Sequence, residues 1–422
     1  MNDAGDRELF TTLFENAVAA ADPELTIRQH LPDRPKGRTI VIGAGKGSAQ
    51  MARAFERAWD APVSGLVVTR YGYGAACERI EVLEAAHPVP DEAGLTGAKR
   101  LLETVAGLGK DDLVVALVSG GGSALLPSPA GTLTLADEIA VNKVLLASGA
   151  PIAAMNTVRK HVSVIKGGRL AAAAFPARVV SLVVSDIPGD QPSLVSSGPT
   201  VPDASTRADA LAIVEAYRMA LPDAVMAHLN SPAADAPSPD DPRFARNEVR
   251  VIASAARSLE AAAEAVRRQG VEAVILSDAI EGEARDVGMV HAAIAREVAM
   301  RNRPFAKPVV ILSGGETTVT LRGQDGRGGR NGEFLLSLAI GIDGIHGVSA
   351  FAADTDGIDG SEENAGAFAD WTSASRLRTK GLDPKAVLNG NDSWGAFDAL
   401  GDLFQPGPTG TNVNDLRAML VR

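Results

Sequence analysis

Residues 39–59, TIVIGAGKGSAQMARAFERAW, decide the fold. A β-branched run, Thr39 to Ile42, meets a glycine-rich turn, and the turn opens into an alanine-rich segment, Ser48 to Trp59, with helical spacing of its apolar residues. The rhythm repeats: short apolar runs at 65–69, 113–118 and 179–184 alternate with helical segments such as 92–107. Continuous apolar strands separated by helices predict parallel pairing with both faces of the sheet covered, which is a doubly wound α/β layer. Around 231–247, SPAADAPSPDDPRFARN, proline, aspartate and alanine displace the periodic pattern, as in a linker or a long excursion. The rhythm then resumes, with strands predicted at 249–253 and 273–277, helices at 256–269 and 283–301, and a strand ending at Leu312.

A chain of 422 residues is too long for one ordinary core. Two α/β domains are therefore expected, residues 1–240 forming a Rossmann-like doubly wound parallel sheet and 241–422 a second α/β domain. An amphipathic helix at 7–21 (Leu9, Phe10, Leu13, Phe14, Ala17, Val18) reads as packing.

With 45% hydrophobic and 22% charged residues, the composition is that of a globular protein. The 52 acidic and 41 basic residues leave a formal net charge of −11, which disfavours nucleic acid and anionic membrane as partners. An anionic substrate must therefore be captured locally. Cys77 is the only cysteine, excluding an intrachain disulfide and a cysteine-cluster metal site, and the six histidines lack zinc spacing. The first residues, MNDAGDRELF, have no signal-peptide pattern, and the expected compartment is the cytoplasm.

In open α/β sheets ligands sit beyond the carboxyl ends of the strands, so the loops there are the candidates. Gly43 to Ser48, GAGKGS, offers backbone N–H groups at a helix start together with the cation of Lys46. It fails the P-loop pattern, because Ile40 holds the first glycine position and Gly47 follows the lysine; it fails G-x-G-x-x-G, because Ser48 holds the third glycine position. Nucleotide or anion binding and a mere tight turn both remain open for it. Ser119 to Leu126, SGGGSALL, can form an anion nest or a packing turn, and Ser123 lacks the surroundings of a nucleophile elbow.

The run 156–171, NTVRKHVSVIKGGRLA, carries Arg159, Lys160, Lys166 and Arg169; most of these charges should be solvated or paired, and one or two should reach a ligand. Asp186 and Asp190 of SDIPGD are placed to hold magnesium or to fix a turn. Residues 313–333, SGGETTVTLRGQDGRGGRNGE, close a strand on Gly314 and Gly315 and then present Arg327 and Arg330, whose forked donors match phosphate or carboxylate oxygens. ADTDGIDG, 353–360, carries Asp354, Asp356 and Asp359 but not the spacing of a calcium-binding EF-hand loop. GPTGTNVNDL, 407–416, can dock into a site or pack as a chain end.

Together these loops, with HPVPDEAGL at 87–95, resemble the glycerate 2-kinase family with a MOFRL-type C-terminal domain, whose members are sometimes labelled hydroxypyruvate reductases. The resemblance runs through almost the whole chain, with one departure, Gly332 where the family usually has glutamine. It implies phosphorylation of D-glycerate to 2-phosphoglycerate with ATP and Mg2+, with the active site in a cleft between the two α/β domains. On this reading Lys46 and Arg330 meet the transferring phosphate, and Arg327 meets phosphate or the glycerate carboxylate. Asp186 and Asp190 hold magnesium or orient the acceptor hydroxyl. Gly43, Gly45, Ser119, Gly120, Gly121, Gly122, Ser123, Gly314, Gly315 and Glu316 line the substrate or the nucleotide. The alternative is an NAD(P)H-dependent hydroxypyruvate reductase with GAGKG as the cofactor turn and Arg70 on a 2′-phosphate. A nonenzymatic sensor is the remaining class. The oligomeric state is left open, with a homodimer as the assembly considered.

Overall fold

The computed structural model describes residues 4–187, 189–323 and 326–422, which divide into two compact units, Pro23–Ile252 and, together, the first 22 residues with Ala253–Arg422. The division departs from the expected break after residue 240 in two ways. The proline-rich stretch 231–247 is not a linker; it docks within the first unit as an excursion. Short 3-10 turns, Pro232–Ala234 and Pro242–Phe244, are capped by Ser231 and Asp241, and the Ala234 carbonyl accepts from His161 Nδ1 at 2.8 Å. The helix Ala4–Ala19 belongs with the C-terminal residues, because its apolar face has no other partner: Phe10 stacks on Phe351 at 5.8 Å, and Phe14 meets Phe404 edge-on at 4.9 Å.

In the unit Pro23–Ile252 the strands are β1 (Thr39–Ala44), β2 (Ser64–Arg70), β3 (Ile80–Ala85), β4 (Leu113–Val118), β5 (Arg178–Ser185) and β6 (Glu248–Ser254). They lie in the order β3-β2-β1-β4-β5-β6, and the pairs from β3 through β5 are all parallel. This is the strand order of dinucleotide-type doubly wound sheets, and its topological switch point lies between β1 and β4. Both central strands are buried along their full length, as their unbroken Ile and Val runs require. Ile42, Val68, Val114 and Ala116 share one cluster with Leu101 of the helix Glu92–Val105.

The second unit also layers helices on a sheet, but the sheet is mixed rather than parallel. Its strands are β7 (Glu272–Ile275), β8 (Gly282–Glu283), β9 (Val309–Gly315), β10 (Thr317–Thr318), β11 (Val348–Asp354), β12 (Gly366–Asp370), β13 (Leu403–Phe404) and β14 (Asp415–Val421). The order is β13-β12-β11-β14-β9-β7, with only β7 and β9 parallel, while β8 and β10 pair by themselves. The C-terminal strand β14 is central, inserted between β11 and β9. Among the described residues no helix is long and apolar enough to cross a membrane.

Candidate active site

The loops after β1 and β4 meet at the switch point of the first sheet. Lys46 N–H donates to the Gly120 carbonyl at 2.8 Å, and Gly47 N–H donates to Ser119 Oγ at 2.9 Å, so the two turns are tied backbone to backbone. Gly43 lies inside β1, and Gly45 turns the chain at φ +139° directly against Ser119. Ser48 is fully buried, its hydroxyl donating to the Gly45 and Val68 carbonyls at 2.9 and 2.8 Å. That fills the position where a dinucleotide turn has its third glycine. The helix Ser48–Ala58 starts with no side-chain cap, and among the described residues no carboxylate forms an ion pair with Lys46.

Two glycines are required at this crossing. A Cβ on Gly120 would stand 1.8 Å from Asp186 Oδ2. One on Gly121, at φ +85°, would press at 3.1 Å on both Lys46 Cγ and His87 Nε2. The absence of side chains thus lets Lys46, His87 and Asp186 close on a single turn. His87, which was not among the residues singled out from the sequence, is held uncharged at neutral pH: burial first, then Lys46 and Arg70, push its pKa down to about 4. Its position just beyond the carboxyl end of β3 was the signal available for it. Arg70 itself lies over the ring of Tyr73 at 4.0 Å.

Ser196 and Ser197 close the floor. Ser196 Oγ donates to the Ser119 carbonyl at 2.5 Å and accepts from Gly122 N–H at 3.0 Å, while Ser123 and Ser197 share a hydroxyl contact of 2.7 Å. Ser196 and Ser197 sit at φ +55° and +60°, a left-handed conformation that costs each of them about 1–3 kcal/mol. The surrounding hydrogen bonds hold that strain at the site. Above this floor is a cavity of about 240 Å³ lined by His87, Gly121, Ser123, Arg159, Asp186 and Ser196, among others. Asp190 is not among its lining residues and stands at φ +50°, its backbone N–H on the Ile187 carbonyl at 3.1 Å.

The second unit gathers the other candidate residues. Arg330 opens the helix Arg330–Gly341, and its guanidinium is held by three carboxylates: Asp415 at 2.8 Å, Glu316 at 2.9 Å and Asp354 at 2.5 Å. Asp354 and Asp415 are buried, and Glu316 is more than half exposed. Asp359 spends both oxygens on the N–H groups of Asn331 and Gly332, at 2.9 and 2.8 Å, and so caps the same helix. Burial, reinforced by Asp415, raises its pKa to about 6 against the pull of those N–H groups and of Arg330. A side chain at Gly332 would start 2.6 Å from Ser393 Oγ, so the space beside this glycine is filled by Ser393.

Arg327 pairs with Glu362 at 2.5 Å and lies 3.6 Å over the ring of Trp394. Gly314 and Gly315 are buried in β9, where Gly315 lets the Ile280 backbone approach. The segment 407–416 docks on the aspartate loop, with Thr355 Oγ1 donating to the Asn414 carbonyl at 2.7 Å and Thr409 Oγ1 donating to the Thr355 carbonyl at 2.5 Å. Among the described residues no three His, Cys, Asp or Glu side chains gather as a metal cluster.

Comparison with known proteins matches residues 9–230 to a domain of unknown function (DUF4147) and residues 309–415 to the MOFRL family. The glycerate 2-kinase of Pyrococcus horikoshii is 40% identical over 96% of this chain and 92% of its own. The chain belongs to the glycerate 2-kinase family. A solved structure, the glycerate kinase of Thermotoga maritima, superposes with a TM-score of 0.90 at 37% identity, covering 99% of this chain and 100% of that one. A relative from Agrobacterium vitis, provisionally named a hydroxypyruvate reductase, is 52% identical over 100% of this chain and 95% of its own. Both labels expected from the resemblance thus occur among the relatives.

Proposed function

We propose that this family member transfers the terminal phosphoryl group of ATP to the 2-hydroxyl of D-glycerate, giving 2-phosphoglycerate and ADP. The observation that carries the reading is the closure of Lys46 and Asp186 on the Gly120–Gly121 turn at the switch point of a parallel sheet. Phosphoryl transfer depends on placing the reactants and neutralising charge on the phosphate oxygens, and a cation beside a glycine turn, without a carboxylate partner among the described residues, supplies that. Lys46 would meet the transferring phosphate. Asp186 would take the proton of the acceptor hydroxyl as its oxygen bonds to phosphorus and the bond from phosphorus to the ADP oxygen breaks.

Magnesium takes one or two carboxylates and completes its shell with water and phosphate oxygens, so Asp186 alone fits a substrate-borne ion without a dedicated cage. When bound, the ion would add charge neutralisation on the phosphate oxygens. Arg330 fits the role of a phosphate ligand on one condition. An incoming anion must take the place of Glu316, the exposed member of its three carboxylates. A cytoplasmic location suits a chain with one cysteine.

The competing reading is hydroxypyruvate reduction. The strand order favours it, and the buried, doubly bonded Ser48 hydroxyl at the third glycine position disfavours it. The deciding experiment incubates the purified protein with D-glycerate, ATP and magnesium, follows products by phosphorus NMR, and runs hydroxypyruvate with NADH or NADPH in parallel. We expect 2-phosphoglycerate with stoichiometric ADP. A 3-phosphoglycerate signal would overturn the regiochemistry, and consumption of reduced cofactor with no phosphorylated product would overturn the kinase.

A further inference from the structure

The basic run 156–171 divides cleanly once its partners are known. Lys160 pairs with Asp203 at 2.6 Å, Lys166 pairs with Glu138 at 2.6 Å, and Arg169 spends its donors on backbone carbonyls, among them Lys160 at 2.6 Å and Asp235 at 3.0 Å. Arg159 is the exception. It lines the 240 Å³ cavity, and among the described residues its two hydrogen bonds, Nε to Asn142 Oδ1 and Nη1 to Asn156 Oδ1, both 3.0 Å, go to neutral amides. Among the described residues no carboxylate forms an ion pair with it. Glu138, the acid whose field it feels, is already committed to Lys166 and to the N–H of Ser128.

A guanidinium that is mostly withdrawn from water yet lacks a counter-charge is costly unless an anion joins it. The amides do not neutralise it; they aim it. Asn156 has no freedom to turn, since its Nδ2 donates to the Leu194 carbonyl at 2.9 Å and its Oδ1 also accepts from Ser197 Oγ at 2.9 Å. Ser197 in turn touches Ser123 on the glycine turn, so the fork of Arg159 is positioned from the same floor that positions Gly122. Five N–H donors with two engaged leave donors for whatever enters the cavity. The cavity volume lies below the range of roughly 300–1,000 Å³ typical of drug-sized ligands and suits an acid of a few carbons.

We infer that Arg159 anchors the carboxylate of the acceptor, so that this cavity takes a short hydroxy acid with its carboxylate on Arg159 and its hydroxyl end at Asp186. The inference rests on the kinase reading only for naming that acid as glycerate. It makes Arg159 the residue that separates hydroxy acids from neutral polyols.

The test is calorimetry on the full chain without nucleotide, using D-glycerate and its neutral amide, glyceramide, as probes, for the wild type, Arg159→Gln and Asn142→Asp. Wild type is expected to prefer glycerate. Arg159→Gln should lose roughly ten- to a hundredfold in glycerate affinity, the scale of a charge-assisted hydrogen bond, while binding glyceramide as before. Asn142→Asp keeps the arginine but supplies the missing counter-charge, and should produce the same selective loss should Arg159→Gln fold poorly. In turnover the glycerate KM should rise while the ATP KM stays within about twofold. Unchanged glycerate affinity in both variants, or equal loss of glycerate and glyceramide, would overturn the assignment. Absence of phosphorylated product in the wild type would instead sink the kinase reading, and the nucleotide-free comparison, repeated with hydroxypyruvate, would still decide the role of Arg159.

Discussion

Arg330 donates through Nη2 to Oδ2 of Asp354 at 2.5 Å, and this contact joins the first residue of a helix to the last residue of β11. Asp354 is buried, as is Asp415 on the other side of the guanidinium. Removing a partner from such a pair leaves a desolvated charge uncompensated, which typically costs about 3–5 kcal/mol. Arg330→Ala should therefore lower the urea midpoint of the C-terminal unit as well as turnover. A variant with unchanged midpoint and lost activity would show that Arg330 acts on substrate alone.

Lys46 makes the opposite prediction. Among the described residues it has no ion-pair partner to abandon, so Lys46→Ala should leave the thermal midpoint within about a degree. Turnover should fall by about a hundredfold or more, the effect of losing one preorganised charge at a transition state. Wild-type kcat in the folded variant would remove Lys46 from phosphate binding.

Gly120→Ala tests the approach of Asp186 to the turn. The added Cβ would fall 1.8 Å from Asp186 Oδ2, so the carboxylate must swing away. The expected phenotype is a kcat loss like that of Asp186→Asn, about tenfold or greater, on a folded protein. Gly315→Ala is the control: its Cβ would strike the Ile280 backbone at 2.3 Å, where nothing can swing aside, and the expected loss is in stability. Full activity of Gly120→Ala would mean that Asp186 need not stand where it does.

Local order in the chain was legible from residues 39–59, because one strand, one turn and one helix in succession carry their own periodicity. So was the parallel pairing of β2, β1, β4 and β5, which follows from apolar strands between helices, whereas β3, IEVLEA, carries glutamates that hid it among the predicted runs. The second sheet was not legible, because its central strand β14 comes last in the chain and is placed by pairing with β9 and β11, whose partners of Met419, Ile311 and Ala350, lie 108 and 69 residues earlier in the chain. The placement of the helix Ala4–Ala19 was hidden for the same reason: its apolar face is plain in the sequence, and Phe351 beneath it is not. For the site, glycines announced the turns, but a residue's partners are a tertiary fact. Nothing in the run 156–171 distinguishes Arg159 from Lys160 until Asp203 and Glu138 are seen to take the other charges.

Asp359 gives the chain a pH dependence of known sign. Its pKa rises from the ordinary 3.8 to about 6, chiefly through burial and further through Asp415, while the N–H groups of Asn331 and Gly332 and the charge of Arg330 oppose the rise. Between about pH 4 and pH 6 the folded chain keeps a proton that the unfolded chain has released, so the Asp359 contribution to stability falls as pH rises through this window. Above about pH 6 it is flat, since both states are ionised. The loss across the window is on the order of 3 kcal/mol by linkage. Asp359→Asn stays neutral throughout. The difference in urea midpoint between wild type and variant isolates this one group from the other acids, and it should move in favour of the variant between pH 4 and pH 7. A difference that is flat, or that moves towards the wild type, would mean that Asp359 is ionised throughout and that its two N–H donors outweigh its burial.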